Sequence, residues 1–274
     1  MTQLTASTDE PVLDIRNGSL GFGDRTLWRN LDVSVQRGEF VAILGSNGSG
    51  KTSLLKAILG QQKLDAGEIA VNGHPVHRGD RHIGYIPQQK LAAHGVPLRG
   101  RDLVALGING HRFGLPINSS SDKKRIAEVV EQVGASGFAE RAIGSLSGGE
   151  QQRLRVGQAI AGHPSLLLCD EPLISLDLAN QRAVAKLIDA ERQQRGTAVV
   201  FVTHDINPVL EMVDRIVYLA AGRFSIGTPD DVLRSDVLSG LYGTPVEVIR
   251  SNGRVFVAGA PGAGDHVHHP EDHS

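Results

Sequence analysis

One short stretch, from Gly45 to Thr52, constrains the fold of this chain more than any other feature of its sequence. It reads GSNGSGKT and fits the pattern G-x-x-x-x-G-K-[ST], in which backbone N–H groups surround a nucleotide phosphate. The apolar run Phe40–Leu44 precedes it, and a helical pattern over Thr52–Leu59 follows and ends at Gly60. Because such a loop requires a strand-to-helix junction, the sequence predicts an α/β nucleotide-binding fold.

The loop also predicts which groups would hold a nucleotide. Lys51 offers a point charge to the phosphates, and the Thr52 hydroxyl offers a ligand to magnesium. The glycines allow the backbone to approach an anion closely. The nucleotide ligands predicted in this part of the chain are Gly45, Ser46, Asn47, Gly48, Ser49, Gly50, Lys51, Thr52 and Ser53.

A second glycine-rich stretch, LSGGE from Leu146 to Glu150, opens another helical pattern. The N-terminus of a helix attracts anions through its free N–H groups and its dipole. Taken by itself, however, the stretch favours an ordinary helix cap, with Ser147 as the capping residue and Glu150 at the third helical position.

Two adjacent acids provide a third chemical signal. The apolar run Leu166–Asp170 predicts a strand that brings Asp170 and Glu171 to its carboxyl end, where open α/β sheets place their ligands. Asp170 is suited to hold a hydrated magnesium ion, and Glu171 is suited to orient or deprotonate a water molecule. His204 ends the next predicted strand, so we expect it within hydrogen-bonding reach of the γ-phosphate or of Glu171.

The remaining sequence divides into regions by its periodicity. Short β-prone runs and turns fill residues 13–86, strand signals fade between about 88 and 162, and strands and helices then alternate. This alternation predicts a largely parallel sheet with right-handed crossovers. The elements expected are an amphipathic helix over Asp122–Val133 with Ile126, Val129, Val130 and Val133 inward, strands at Leu166–Asp170, Thr197–Thr203 and Ile216–Ala220, and helices near Ala179–Gln193 and Pro208–Val213.

The C-terminal part is less regular beyond about Gly227, and residues 259–274 are predicted to be disordered. That tail contains imidazoles that suit zinc, so it is a possible transition-metal site. The sequence leaves open whether the tail senses metal or is merely a solvated segment. The residues concerned are His266, His268, His269 and His273.

Charge and cysteine content limit the partners of the chain. A formal net charge of −2 argues against nucleic acid, because binding to its backbone favours a basic surface. The single Cys169 excludes a disulfide framework and fits a reducing cytosol. The N-terminus lacks a secretory pattern, and the apolar runs are far shorter than the roughly 20 residues that cross a bilayer. We expect a cytoplasmic protein that reaches a membrane through another subunit.

Taken together, these motifs resemble the nucleotide-binding subunit of an ATP-binding cassette (ABC) transporter, from about Leu13 to Gly243. Two departures from the family pattern are Thr52-Ser53 in place of Ser-Thr, which keeps both hydroxyls, and Phe22 in place of a tyrosine. The positions that match family motifs are Phe22 for the aromatic stacked on adenine, Gly45–Thr52 for Walker A, Gln88 for the Q-loop, Leu146–Glu150 for the signature sequence, Leu166–Asp170 for Walker B, Glu171 for the catalytic base, Ser175–Asp177 for the D-loop and His204 for the switch histidine.

The resemblance implies a P-loop NTPase core with an N-terminal antiparallel β subdomain and a helical signature subdomain. It places the ATPase domain at residues 11–243, the inserted helical subdomain at about 88–162 and a C-terminal extension at 244–258. It also implies that the chain is an ATPase that uses ATP and Mg²⁺, with magnesium held by Thr52, Gln88 and Asp170. The catalytic residues would be Glu171, His204 and Gln88.

The same resemblance implies a homodimer that sandwiches ATP. Ser147 and Gly149 of one subunit would contact the γ-phosphate held by Lys51 of the other. Gly148 and, in the D-loop, Asp177 are also expected to bind the nucleotide. Further expected partners are integral membrane permease subunits and, indirectly, an extracytoplasmic substrate-binding protein. The chain would then sit peripherally on the inner face of the cell membrane.

Substrate preference is a narrower expectation. The compact size and two segments, Val96–Gly107 and Leu238–Gly243, look like bacterial zinc and manganese importers, with iron-chelate importers next. Export and a non-transport ABC ATPase remain alternatives, because fold and chemistry do not fix the direction of transport. A metal-storage module built on the tail histidines would leave the hydrolytic residues unexplained.

Overall fold

The computed structural model describes residues 10–23, 25–88, 98–110 and 119–259. Its N-terminal region contains a four-stranded antiparallel sheet. Its strand order is β2-β1-β4-β5, and each strand is antiparallel to its neighbours. Leu13 pairs with Val35 on one side and with Val71 on the other, which centres the sheet on β1. The strands are β1 (Leu13–Phe22), β2 (Arg25–Val35), β4 (Ala66–Val71) and β5 (His74–Pro75).

The central sheet has six strands in the order β10-β9-β3-β8-β7-β6. Every neighbouring pair is parallel except β9 with β10, which confirms the predicted largely parallel sheet. The carboxyl ends of the parallel strands therefore meet at one edge. The strands are β3 (Phe40–Gly45), β6 (Ile83–Ile86), β7 (Leu166–Asp170), β8 (Ala198–Val202), β9 (Arg215–Ala220) and β10 (Arg223–Gly227).

Seven α-helices lie in the described part of the chain. Three of them, α2, α3 and α4, pack together after β6, and the predicted inward residues Ile126, Val129 and Val130 of α3 are buried. Within the described residues, no helix is both long enough and apolar enough to span a bilayer. The helices are α1 (Lys51–Ile58), α2 (Gly100–Asn109), α3 (Ser120–Gln132), α4 (Gly148–Ile160), α5 (Leu178–Arg195), α6 (Pro229–Val232) and α7 (Ser235–Tyr242).

Two hydrophobic cores lie on opposite faces of the central sheet, as alternation along β3 shows. Phe40 and Ala42 belong to the core shared with the helices after β6, whereas Val41 and Ile43 belong to the core shared with the antiparallel sheet. All five residues of β7 and of β8 are buried, because both faces of these strands are covered. The central sheet is thereby held between two layers, with its carboxyl edge free to carry a site.

The structure differs from the sequence predictions in two places. The helix expected near Pro208–Val213 is only a 3₁₀ turn over Leu210–Met212, because the chain enters β9 at Arg215. The segment after Gly227, expected to be less regular, instead forms α6, α7 and an antiparallel hairpin. That hairpin consists of β11 (Glu247–Ser251) and β12 (Arg254–Ala258).

Helix capping and burial of apolar side chains explain why that C-terminal segment forms regular structure. Thr228 and Asp231 form a reciprocal capping box around Pro229 at the start of α6. Val232 and Leu238 are then buried against the central core. The elements in this segment are too short to give a clear periodicity in the sequence. They are stabilised by helix capping and by apolar residues that pack into the core formed with the rest of the chain.

Candidate functional site

The loop between β3 and α1 has a conformation that requires its first glycine. Gly45 has φ +146°, and a Cβ atom there would lie 2.1 Å from the Leu219 carbonyl oxygen. The Lys51 ammonium is folded back over the loop and donates to the carbonyl oxygens of Gly45 at 2.7 Å and Ser46 at 3.0 Å. Strand β9 therefore supports the loop from beneath while the lysine closes it.

The N-terminus of α1 is prepared for an anion. Its N-cap, Gly50, has a left-handed conformation with no side-chain cap, and the first turn contains no acidic residue. The Ser49 hydroxyl is buried without a hydrogen-bond partner among the described residues, which suits it to a phosphate oxygen. Burial lowers the pKa of Lys51, while the nearby Glu171 and Asp170 carboxylates oppose that shift. The loop thus offers free N–H groups, a free hydroxyl and an ammonium to nucleotide phosphates.

A cavity of about 400 Å³ adjoins the outer side of this loop. The loop residues Ser46, Asn47, Gly48 and Ser49 line it, together with the start of β2 and the turn between β9 and β10. Arg25 belongs to this wall, and its guanidinium donates to the Gly48 carbonyl oxygen at 2.8 Å. Sequence reasoning missed Arg25, and its position three residues after the predicted adenine-stacking Phe22 was the available signal.

Phe22 ends β1 beside Arg25, with which it pairs across the β1–β2 turn. Its side chain is 57% exposed, so it is not the core aromatic that burial preference alone would favour. An exposed phenyl ring at the tip of a hairpin that touches the phosphate loop is available for stacking on a base.

Asp170 lies at the carboxyl end of β7 in a largely buried position. Burial raises the pKa of its carboxyl, and the Tyr85 hydroxyl donates to Asp170 Oδ2 at 3.3 Å and opposes that rise. Burial, reinforced by Asp170, raises the pKa of Tyr85 to about 12. The carboxylate of Asp170 is an oxygen ligand that fits a hydrated divalent cation. The hydroxyl of Thr52, which is exposed in the first turn of α1, is a second oxygen ligand of this kind. The sequence analysis did not single out Tyr85, which reaches Asp170 from the neighbouring strand β6.

Glu171 is held out of the strand in an uncommon backbone conformation. Its φ is +46°, a left-handed value that costs free energy in a residue with a side chain, and strain of this kind clusters at functional sites. Its carboxylate accepts from Gln88 Nε2 at 3.2 Å and lies 3.4 Å from His204 Nδ1. The structure therefore brings together all three residues that the sequence assigned to catalysis.

The N-terminus of α4 is closed by its own side chains. Ser147 and Glu150 form a reciprocal capping box: the Ser147 N–H and hydroxyl donate to Glu150 Oε2 at 2.8 and 2.9 Å, and the Glu150 N–H donates to the Ser147 hydroxyl at 3.3 Å. Hydrogen bonds from Ser147 lower the pKa of Glu150. Within one chain, the glycine-rich stretch therefore has the ordinary cap that the sequence favoured, and Ser147 is exposed.

The two glycines of that stretch have different surroundings. A Cβ atom on Gly149 would lie 2.3 Å from Asn180 Oδ1, so Gly149 is buried where α4 crosses α5. A Cβ atom on Gly148 would make only an ordinary contact with Leu176, at 3.8 Å, and Gly148 is exposed. Packing explains Gly149, whereas no contact among the described residues requires a glycine at 148.

A second cavity, of about 530 Å³, lies between α4 and the carboxyl end of β7. Gly148 and Gln151 line it from the helix, and Gln88, Glu171 and Ser175 line it from the sheet edge and the loop that follows. Among the described residues, none lines both this cavity and the one beside the phosphate loop. The chain thus presents the phosphate loop and the α4 N-terminus in separate places.

Two sets of predicted residues remain. Asp177 caps α5, accepting from the Asn180 N–H at 2.8 Å, and is exposed beside the second cavity. The tail histidines at 266, 268, 269 and 273 lie outside the described residues. Among the residues that the structure does describe, no group of three or more potential metal ligands is clustered.

Comparison with known sequences gives one family match and several curated relatives. The model of the ABC transporter family matches residues 28–174. The iron(3+)-hydroxamate import ATP-binding protein FhuC of Bacillus subtilis is 30% identical, covering 84% of this chain and 87% of its own length. The zinc import ATP-binding protein ZnuC of Chelativorans sp. is 32% identical, covering 89% and 80%. The spermidine/putrescine import ATP-binding protein PotA of Bacteroides thetaiotaomicron is 32% identical, covering 84% and 50%.

Solved structures with the same fold include a metal-chelate type ABC transporter in an inward-facing conformation. The two chains superpose with a TM-score of 0.76 at 28% identity, covering 90% of this chain and 96% of the other. Another is an ATP-binding cassette in a dimeric post-hydrolysis state with ADP and phosphate bound, with a TM-score of 0.66 at 28% identity, covering 79% and 98%. These likenesses agree with a P-loop NTPase core that carries an N-terminal antiparallel sheet.

Proposed function

This chain belongs to the ABC transporter family, as an ATP-hydrolysing subunit, and we propose that it drives import of a transition metal ion, zinc or manganese. The observation that carries the proposal is the convergence of the phosphate loop, Asp170, Glu171 and His204 at one sheet edge in a chain related to a zinc import subunit. The likeness to a metal-chelate type transporter agrees with a cargo that contains a metal, and it fits the iron-chelate candidate below as well.

The residues at the edge suggest how hydrolysis proceeds. Lys51 and the N–H groups at the start of α1 bind the β- and γ-phosphates. Glu171 takes a proton from the attacking water, while Gln88 and His204 hold its carboxylate in place through the contacts described above. Thr52, Asp170 and Gln88 would hold Mg²⁺, which neutralises charge on the phosphate oxygens when it is bound.

We propose that ATP joins two copies of the chain. The exposed Ser147 and Gly148 of one subunit would face the γ-phosphate held by Lys51 of the other, with Asp177 at the same interface. Two observations support this arrangement: the separate cavities, and the exposed Gly148, which packing among the residues that the structure describes does not require. Gly149 would support that contact by its packing on α5. Loss of the γ-phosphate would remove the anion shared by the two subunits, so hydrolysis would loosen the dimer.

The membrane partner would dock beside the helices that follow Gln88. ATP-binding subunits of importers act with membrane permeases, so the helical layer α2–α4 would transmit dimer opening to a permease pair. In this arrangement the chain sits peripherally on the inner face of the cell membrane, and an extracytoplasmic substrate-binding protein contributes indirectly. The domain limits proposed for this assembly remain 11–243 for the ATPase, with the helical part at about 88–162, the extension at 244–258 and the tail at 259–274.

A second candidate function is import of an iron chelate. The iron(3+)-hydroxamate import subunit is nearly as similar to this chain as the zinc import subunit, and the relative named for spermidine and putrescine import extends the range of cargo beyond metals. The tail histidines would favour zinc only if they prove to bind it. Export or a role outside transport would be indicated by a neighbouring gene other than that of an import permease.

The proposal is tested by deleting the gene and measuring uptake of radioactive zinc, manganese and ferric hydroxamate in parallel. We expect zinc or manganese uptake to fall and to be restored by the intact chain but not by Glu171→Gln. If the intact chain restores only ferric hydroxamate uptake, the second candidate function, import of an iron chelate, would be favoured instead. Purified Glu171→Gln protein should form an ATP-bound dimer that does not turn over, whereas a persistent monomer would contradict the shared ATP site.

A further inference from the structure

The C-terminal hairpin, β11 and β12, forms a two-stranded sheet of its own. It is attached to the rest of the chain at separate points. The Ser235 hydroxyl of α7 accepts from the Val248 N–H at 2.9 Å, and Arg250 forms an ion pair with Asp230 at 2.8 Å. These two attachments face α6 and α7, away from the hydrolytic residues.

A third attachment is different, because it leads to the hydrolytic edge. The side chain of Asn207 makes both backbone hydrogen bonds to one residue of β12: Nδ2 donates to the Val255 carbonyl oxygen at 3.0 Å, and Oδ1 accepts from the Val255 N–H at 2.8 Å. Val255 pairs with Arg250 across the hairpin, so its outward backbone groups would otherwise lack a partner. The amide thus takes the place of a neighbouring strand.

Asn207 is also fixed to the loop that carries His204. Its N–H and Nδ2 both donate to Asp205 Oδ1, at 2.9 and 2.8 Å. The Thr203 hydroxyl donates to the Asp205 carbonyl oxygen at 2.7 Å and accepts from the Asp205 N–H at 3.1 Å. Because these bonds span 203 to 207, the backbone on both sides of His204 is set by the same network.

His204 itself depends on that backbone. Its side chain is 56% exposed, so packing does not fix its rotamer, whereas the Glu171 carboxylate 3.4 Å away is only 14% exposed. The position of the ring relative to Glu171 is therefore determined mainly by the loop. The loop is in turn tied to the hairpin by Asn207 and by burial of Ile206 and Val255 in the same core.

We propose that Asn207 is a positioning residue, which locks the C-terminal hairpin to the loop of His204 and so sets the distance between His204 and Glu171. The inference rests on the proposed ATPase mechanism, in which His204 supports Glu171. It assigns the hairpin a role in hydrolysis, because the hydrogen bonds of Asn207 would transmit a displacement of β12 to the loop of His204.

The test is Asn207→Ala in the full-length chain. We expect kcat for ATP hydrolysis to fall about five- to tenfold, because three side-chain hydrogen bonds are lost, two to Val255 and one to Asp205. The Kd for ATP should be unchanged, since no nucleotide ligand is touched. Ser235→Ala is the matched control: it removes a hydrogen bond of similar length from the same hairpin but none from the His204 loop. That control should keep the kcat of the unmodified chain.

A double-mutant cycle with His204→Ala separates positioning from general stability. If Asn207 acts through His204, Asn207→Ala should cause no further loss of kcat in the His204→Ala background. Equal losses in both backgrounds, or an equal loss of kcat in Ser235→Ala, would overturn the proposal. If Asn207→Ala does not fold, Asn207→Asp, which keeps an acceptor for the Val255 N–H but has no donor, is used in the same cycle. An unmodified chain without ATPase activity would refute the proposed mechanism instead.

Discussion

The N-termini of α1 and α4 are both glycine-rich, but the chain prepares them differently for an anion. Helix α1 begins at a left-handed Gly50 with no side-chain cap, and Lys51 lies over the loop. Helix α4 begins at Ser147, whose hydroxyl and N–H are already bonded to Glu150. The N-terminus of α1 therefore leaves its first N–H groups free. At the N-terminus of α4, one N–H group is bonded to Ser147 and the Glu150 carboxylate lies beside the other N–H groups.

The difference indicates which end binds ATP in an isolated subunit. A dipole and free N–H groups attract phosphate at α1, while the capping box at α4 would have to open, or be outweighed, before Ser147 could contact an anion. We therefore expect the two ends to be engaged in order. ATP should bind first at α1, and the α4 end of a second subunit should then close on it.

The largest expected effect comes from the ammonium over α1. Lys51→Gln should weaken ATP binding by about 100-fold, because a charged donor to the phosphates is lost. Lys56→Gln, on an exposed position of the same helix, removes the same charge and is the control. Isothermal titration with ATP measures both. Equal ATP affinities for the two variants would mean that Lys51 contributes no more to ATP binding than another lysine on the same helix.

The next effect should separate the two ends. In a Glu171→Gln background, Ser147→Ala should reduce ATP-dependent dimerisation about tenfold while leaving ATP binding to the monomer unchanged. Ser119→Ala is the control, since Ser119 forms the same capping box with Asp122 at α3. Both variants should lose about 1 kcal/mol of stability as helix caps. Sedimentation measures the dimer, and an equal loss of dimer in both variants would show that only folding was affected.

A smaller effect is expected from the aromatic beside the phosphate loop. Phe22→Ala should weaken ATP binding about fivefold through loss of base stacking, and Phe22→Tyr should restore it. Phe256, also exposed but on the C-terminal hairpin, provides the control Phe256→Ala. Fluorescent ATP titration distinguishes them. If Phe22→Ala binds ATP normally, the adenine does not stack on Phe22.

The smallest effect concerns the acid at α4. Because hydrogen bonds lower the pKa of Glu150 in the folded chain, its capping contribution is present above the ordinary carboxyl pKa and is lost as pH falls through the folded value. Glu150→Ala should lower Tm by about 2 °C at neutral pH and have no effect once the unmodified side chain is protonated. Thermal melts across acidic pH check this. A difference that persists in acid would mean that the charge of Glu150 is not what stabilises the helix.

Much of the site could be predicted because its chemistry is local in sequence. The loop from Gly45 to Thr52 and the acids at 170 and 171 each follow a buried strand, so a parallel sheet had to bring them to one edge. The parallel sheet and the helix with Ile126 inward were predicted for the same reason. Hydrophobic periodicity is a local signal.

Other features depend on contacts between residues far apart in the chain. Arg25 on Gly48, Tyr85 on Asp170 and Asn207 on Val255 are hydrogen bonds that no local pattern encodes. The regular structure of the segment after Gly227 likewise depends on packing against a hydrophobic core that contains residues of other strands.

The sequence by itself determined which groups carry the chemistry and that they follow parallel strands, because motif spacing and apolar runs act over a few residues. Only the tertiary structure decided that Gly149 is needed for packing against Asn180, that the two helix ends lie at separate cavities, and that the C-terminal hairpin is bonded beside His204. The physical reason is that close packing and satisfaction of backbone hydrogen bonds are properties of the whole chain in space.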